Sequence, residues 1–346
     1  MNFDISILIC THNSRKRIAD TLNSLKKQRG CENINWEVII VDYISSDGTL
    51  EVAKEVWSNE VVPLICIKEQ APGKTPALET GLMRARGDGI CIIDDDNWAD
   101  ETYVMIAHST LKAHPDIGVI GAFGIAQCEI EPPEWFYSNL GTYAVGSQGA
   151  KQGYIEGNRN LSFWGAGSVI RRDAWIKAKQ KGFIPILNPT RGKSGVAFSK
   201  GFIGGEDGEL CFAVQLVGYR LWYEPKLKYK HFIPKGRLTP EFIKNTIAGV
   251  SSAAPLVRLY LATLTPPSSL GYFRKTVYHN WWLHMLYTIM RYVHCLCRMQ
   301  IKKHNEKHFE IKKVHIRYRA EMQALWHLRT SFNVVVSSIR KLQYHK

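Results

Sequence analysis

The chain contains no C-x-x-C pair, although eight of its 346 residues are cysteine. The thiols therefore spell neither a zinc framework nor a redox motif. Cys10, Cys66 and Cys91 lie inside apolar, strand-like runs and read as buried, reduced thiols of a cytoplasmic protein. An export signal is missing too: Met1-Asn2-Phe3-Asp4 carries no basic stretch, and the apolar run after it is only about five residues long. Two segments imitate the end of a phosphate-binding P-loop, Gly73-Lys74-Thr75 and Gly192-Lys193-Ser194. Each lacks the earlier glycine, Lys68 and Leu187 standing in its place, which excludes a P-loop NTPase. No G-x-G-x-x-G follows the first strand, which speaks against dinucleotide binding.

Acidic residues are scarce at one end. The formal charge of the whole chain is +14, but residues 271–346 hold 15 Lys+Arg against 3 Asp+Glu, a surplus of 12, and eight of the 12 His. The first 270 residues carry 30 against 28 and are nearly neutral. A basic appendage on a neutral body predicts an anionic partner for the appendage: nucleic acid, acidic membrane or phosphorylated substrate.

The first hundred residues repeat one pattern, a β-branched run ending in polar residues and passing into a helical stretch. Ile5–Cys10 precedes a helix over Lys16–Lys27, Glu37–Val41 one over Thr49–Trp57, and Val61–Lys68 one over Pro76–Ala85; Gly89–Ile93 ends in three aspartates. Strands apolar on both faces and alternating with helices predict an open, mostly parallel α/β sheet covered on both sides. Ligands bind such sheets at the carboxyl ends of the strands, where the polar residues fall.

The sharpest local signal is Asp94-Asp95-Asp96 at the end of an apolar strand. Alternate carboxylates there would hold a hard divalent cation and, through it, a diphosphate. The competing reading is that one aspartate caps a helix beginning near Asp100 and the others are solvated. A second signal, Gly204-Gly205-Glu206-Asp207, places carboxylates on a glycine turn at a helix start, where one is placed either as a general base or as a cap.

Taken in order, Ser6 to Asn13, Val38 to Asp42 with Ser45-Ser46-Asp47-Gly48-Thr49, Asp94-Asp95-Asp96 and Gly205-Glu206-Asp207 resemble family 2 glycosyltransferases over roughly residues 4–235. The resemblance implies a GT-A fold and inverting transfer of a sugar from a nucleotide diphosphate donor, a UDP-sugar, to a hydroxyl of a glycan or lipid-linked acceptor in cell-surface polysaccharide or glycoconjugate synthesis. It implies that Thr11, Asn13, Asp42, Lys74, Asp94 and Asp95 bind the nucleotide sugar. Asp94, Asp96 and His231 would hold Mn2+ or Mg2+, and Asp207 would deprotonate the acceptor, which Gly205, Glu206 and Trp164 would contact. Tyr43-Ile44 departs from the acidic or amide pair usual after the second strand, and Ala77-Leu78-Glu79 replaces the usual Ala-Arg-Asn, Lys74 offsetting the lost arginine. The resemblance divides the chain into a catalytic domain, 1–235, with a donor half to about 117 and an acceptor half beyond it.

Residues 236–270 read as a linker or helical extension, and 271–346 as a basic amphipathic helical tail. Tyr278, Trp282, Leu286, Ile289, Val293 and Leu296 form an apolar stripe at helical spacing. The 15 residues between Lys275 and Arg291 include two His and an Asn, too short and too polar a run to cross a bilayer. The stripe either packs on the body or lies in the surface of an anionic membrane, which would keep the enzyme on the inner face of the cell membrane. A sugar-phosphate nucleotidyltransferase is the alternative enzyme, but it calls for a glycine-rich, basic first loop. A nucleic-acid-binding protein is the alternative without catalysis; no helix-turn-helix, zinc-finger or stacking-sheet motif supports it, and no nucleic-acid partner is expected.

Overall fold

The computed structural model describes residues 3–155, 162–187, 205–266, 268–300 and 307–343, with side chains of 299–310 left aside. It divides into two compact units, residues 1–179 with 218–238, and residues 180–217 with 239–346.

The first unit is built on one sheet. Strands β1 (Phe3–Thr11), β2 (Trp36–Tyr43), β3 (Leu64–Glu69) and β4 (Gly87–Ile92) alternate with helices α1 (Ile18–Lys26), α2 (Thr49–Trp57) and α3 (Lys74–Arg84). The β1, β2 and β4 strands are buried almost throughout, the expected consequence of helices on both faces. Helix α1 turns Ile18, Leu22 and Leu25 inward at helical spacing. In α3, a Cβ on Gly81 would stand 2.2 Å from the Leu8 side chain, so only glycine lets this helix lie so close to β1.

Further strands follow: β5 (Asn97–Ala99), β6 (Ile117–Cys128) after helix α4 (Tyr103–Ala113), β7 (Gly153–Tyr154), β8 (Val169–Arg171) leading into helix α5 (Arg172–Gln180), and β9 (Arg220–Ile233). The sheet order is β3-β2-β1-β4-β8-β6-β9-β5, with β7 paired to β9. Pairing is parallel from β3 through β4, antiparallel on both sides of β8 and parallel between β6 and β9. The strand order reverses at β1, between β2 and β4, which makes their carboxyl ends the switch point where a crevice opens. Far from it, at the other end of the strands, the buried Glu37 accepts from Ser6 Oγ at 2.8 Å and pairs with Arg86, so its charge inside β2 is satisfied.

The second unit is helical: α6 (Glu206–Leu216), α7 (Pro240–Leu264), α8 (Ser269–Tyr278), α9 (Trp281–Gln300), α10 (Lys307–Leu328) and α11 (Phe332–Leu342). The expected linker or helical extension at 236–270 is mostly α7, a 25-residue helix capped by Thr239, whose side chain accepts from the Phe242 N–H. Among the described residues α7 is the helix long and apolar enough to cross a membrane, yet more than half of that stretch is buried within the protein. Its Leu256, Leu259 and Tyr260 are buried, Tyr260 stacks on Phe212 at 5.5 Å, and Arg258 pairs with the buried Glu321 of α10 at 2.5 Å. A core helix accounts for its length.

Candidate functional site

The carboxyl ends of β1, β2 and β4 are brought level by their register, Thr11 opposite Asp42 and Leu8 opposite Ile92. The three aspartates that leave β4 go to three different sets of partners. Asp95 turns back toward β1, where Thr11 Oγ1 donates to it at 2.7 Å and Arg17 pairs with it at 3.3 Å. Asp94 accepts from Lys74 Nζ at 2.6 Å, so the lysine at the start of α3 reaches the acidic cluster. Asp96 faces Arg237 at 3.1 Å and His231 Nε2 at 3.5 Å. Each of the three carboxylates thus faces a different cation, Lys74, Arg17 or Arg237, and Asp96 is the most deeply buried of them.

These surroundings set the protonation of the cluster. Burial pushes the Asp95 carboxyl up, against the opposing pull of Arg17 and Thr11. Burial also opposes ionisation of Asp96, but hydrogen bonding and charge from His231, then Arg237 and Arg17, outweigh it and hold the carboxyl at about 2.

The loop after β1 is tied to the loop after β2. Asn13 has a φ of 47° and its Oδ1 accepts from the Ser46 N–H at 3.0 Å, while its own N–H donates to Ser45 Oγ at 2.8 Å. Asp42 is buried and closes a turn by accepting from the Ser45 N–H at 3.2 Å. The departure at Tyr43-Ile44 is accommodated by His12, whose ring stacks on Tyr43 at 5.2 Å. Ile44 sits at a φ of 63° and is half exposed, a strained conformation for a β-branched residue on the rim of the crevice.

The expected nucleotide-sugar residues therefore gather at one place. Thr11 is fully buried, and its hydroxyl is engaged by Asp95 and Ser14. Two members of the cluster were not anticipated, Arg17 and Arg237. Chain order alone carries no sign of either, because each reaches the aspartates from a loop whose course depends on the fold.

Asp96 and His231 meet because β5 pairs antiparallel with β9, Asn97 lying opposite His231. His231 Nδ1 lies 2.7 Å from the Tyr143 carbonyl, which can only accept, so that nitrogen carries a proton. Nε2 then donates to Asp96 when the ring is protonated, and accepts from Arg237 Nη1 at 3.2 Å when it is neutral. A carboxylate and an imidazole nitrogen converging on one positive charge are donor types that suit a divalent cation. Of the three expected ligands, Asp96 and His231 adjoin each other and Asp94 is held by Lys74; among the described residues no three His, Cys, Asp or Glu stand close enough to enclose an ion by themselves.

Trp164 lies beside the end of β4: its N–H donates to Gln148 at 2.7 Å, and the following residues bond along β4 through Gly167 N–H to Ile92 O at 2.9 Å. In the second unit, Gly205 has a φ of 109°, and a Cβ there would stand 2.8 Å from Ala253, so the turn that opens α6 requires glycine. Glu206 and Asp207 form the first turn of α6 and are half-buried. Glu209, one turn on, is buried and accepts from the N–H groups of Ile186 and Leu187, both at 2.9 Å, and from Tyr260 Oη at 2.9 Å. Its role is to hold these segments together. Gly204, with residues 188–203, lies outside the described residues.

Residues 6–177 match the family model described as Glycosyl transferase family 2. The chain belongs to this family. It is 26% identical over 121 residues to the poly(ribitol-phosphate) beta-N-acetylglucosaminyltransferase TarS of Staphylococcus aureus (strain MW2), a match covering 35% of this chain and 21% of that protein. The chain matches only 21% to 36% of the length of such curated relatives. Among solved structures, S. aureus TarS 1-349 in complex with UDP-GlcNAc superimposes with a TM-score of 0.51 at 15% identity, over 99% of this chain and 93% of that one. The mannosyltransferase PcManGT from Pyrobaculum calidifontis, in complex with GDP-Man and Mn2+, gives 0.54 at 15% identity over 98% and 87%. At such identities the likeness establishes the fold, which is that of GT-A glycosyltransferases.

Proposed function

We propose that the chain is an inverting glycosyltransferase that moves a sugar from a nucleotide diphosphate sugar, a UDP-sugar, to a hydroxyl of a glycan or lipid-linked acceptor in cell-surface polysaccharide synthesis. The observation that carries this reading is the acidic cluster at the switch point of a family 2 domain, where Asp94 and Asp96 stand with Lys74, Arg237 and His231. The name of TarS and its UDP-GlcNAc complex support a UDP-sugar and a cell-wall polymer as the substrate classes.

The chemistry has two requirements. A sugar hydroxyl is a weak nucleophile and must lose its proton as it attacks, and the departing diphosphate must have its growing charge neutralised. Asp207 takes the acceptor proton, with Gly205, Glu206 and Trp164 around the acceptor. Lys74 and Arg237 supply fixed positive charge beside the diphosphate. Asp96 and His231, with Asp94 nearby, would hold Mn2+ or Mg2+, which would supply Lewis-acid stabilisation of the leaving group. Asn13 and Asp42 shape the nucleoside end. The reaction is a single in-line displacement, so no covalent glycosyl-enzyme forms.

The basic tail holds the enzyme peripherally on the inner face of the cell membrane, where a lipid-linked acceptor is presented. A thermal-shift screen of UDP, GDP and their sugars, with and without Mn2+, tests the donor class. Stabilisation by UDP and UDP-sugars, strengthened by Mn2+, is the expected result; stabilisation by none of them overturns the transferase reading.

A further inference from the structure

Helix α9 is oriented opposite to what is usual for a helix in a water-soluble domain. Its inward face carries His284 and Thr288, both fully buried, while Trp282, Leu286, Ile289, Met290 and Val293 point outward with 41–74% of their surface exposed. Positions 282, 286, 289 and 293 form one stripe along the helix, about 16 Å long at 1.5 Å per residue. No charged side chain interrupts it, since Arg291 turns away over the rings of Tyr287 and Tyr318 at 5.8 Å. Helix α8, just before it, adds Leu270, Tyr272 and Phe273, each at least half exposed.

The inner face is anchored. Trp281 Nε1 donates to the Leu325 carbonyl of α10 at 2.6 Å, and the His284 ring lies against Tyr278 at 5.0 Å. Neither nitrogen of His284 has a hydrogen-bond partner among the described residues. Burial, then the charge of Arg258, pushes its pKa down to about 3, so the ring is neutral and stays inside. A helix that buries a histidine and a threonine and presents Trp, Leu, Ile and Met outward is set in place by α10, and its apolar face requires an apolar partner.

Charge identifies the partner. From Glu241 to Glu306 the sequence contains no Asp or Glu between those two residues, while Arg274, Lys275, Arg291 and Arg298 flank the stripe. A second copy would bring the same positive flanks against one another across a two-fold axis. An anionic bilayer offers both an apolar interior for the stripe and counter-charge for its rim, and Trp, Tyr and Phe are the side chains suited to that depth.

We propose that the outward faces of α8 and α9 insert into the surface of an anionic membrane, α9 lying parallel to it with Trp282, Leu286, Ile289 and Val293 among the acyl chains. This deepens the membrane location given above and rests on it. The tail's charge attracts, but the contact itself is apolar and runs along about three turns of α9.

Flotation of the full-length protein with vesicles of phosphatidylcholine containing about 30% phosphatidylglycerol tests this directly. The parent floats with these vesicles, and Trp282→Glu and Ile289→Glu each lower binding at least tenfold while leaving the melting temperature and any UDP-induced thermal shift unchanged. Undiminished flotation of both variants overturns the proposal, because the tail's charge would then suffice. Lipid-free dimers that either variant dissociates, with no flotation of the parent, overturn it in favour of a second copy. The readout uses neither donor nor turnover, so failure of the transferase reading appears in the nucleotide screen and failure of this one in flotation alone.

Discussion

Arg237 Nη1 lies 3.1 Å from the Asp96 carboxylate and 3.2 Å from His231 Nε2, so a single guanidinium occupies the point on which an acid and an imidazole converge. A divalent cation bound by the same pair must compete with that positive charge. Replacing Arg237 with alanine is therefore expected to tighten Mn2+ binding to the donor-free protein about tenfold, measured by the loss of free Mn2+ signal in paramagnetic resonance. The same variant should turn over donor more slowly, because fixed charge beside the diphosphate is lost. Unchanged Mn2+ affinity would separate Arg237 from the metal.

Acid should affect the neighbouring carboxyls in order. Asp95 is raised by burial and Asp96 is held at about 2, so on acidification Asp95 takes its proton first. The signs of their contributions are opposite. Ionised Asp96 stabilises the fold at pH above the ordinary carboxyl value of about 4, and that contribution disappears as the pH falls toward about 2. Ionised Asp95 costs stability above its raised value, a cost relieved on protonation. Carboxyl-carbon NMR titration should record this order, and Asp96→Asn should flatten the loss of melting temperature between about pH 4 and about pH 2.

Asp207→Asn keeps the shape of the first turn of α6 and removes the acceptor of the proton. Transfer should fall by at least about a thousandfold while the UDP-sugar affinity, read by titration calorimetry, stays within about twofold. Transfer at the parent rate would assign the base elsewhere.

Glu209 stands two residues from Asp207 and does unrelated work. Its buried carboxylate receives three donors, and an amide in its place would turn an N–H toward the Ile186 and Leu187 N–H groups. Glu209→Gln should cost about 2–3 kcal/mol of stability, visible in urea unfolding, with no change in Mn2+ binding.

Much of this was legible before any coordinates. The apolar runs ending in Thr11, Asp42 and Asp94 marked the strands and their functional ends, because a strand buried on both faces stays mostly apolar until it emerges. Helix α2 begins and ends at Thr49 and Trp57, as its spacing predicts. The short strand Asn97–Ala99 was hidden, since three residues between an acidic cluster and a helix carry no periodicity, yet it is this strand that sets Asp96 against His231. Residues 236–270 read only as a linker or helical extension, because small residues and Pro255 weaken the helical pattern that the packing of α7 on α10 sustains.

By itself the sequence determined the open α/β sheet, the acidic strand end, the glycine turn before Glu206 and the segregation of positive charge into the tail, all properties of local pattern and composition. Only the tertiary structure decided which cation faces which aspartate, that Thr11 supports Asp95 from within, and that the stripe of α9 looks outward. Those depend on residues far apart in the chain meeting, Arg237 with Asp96 and Trp281 with Leu325, and periodicity records that a helix has two faces without recording which one its neighbours will cover.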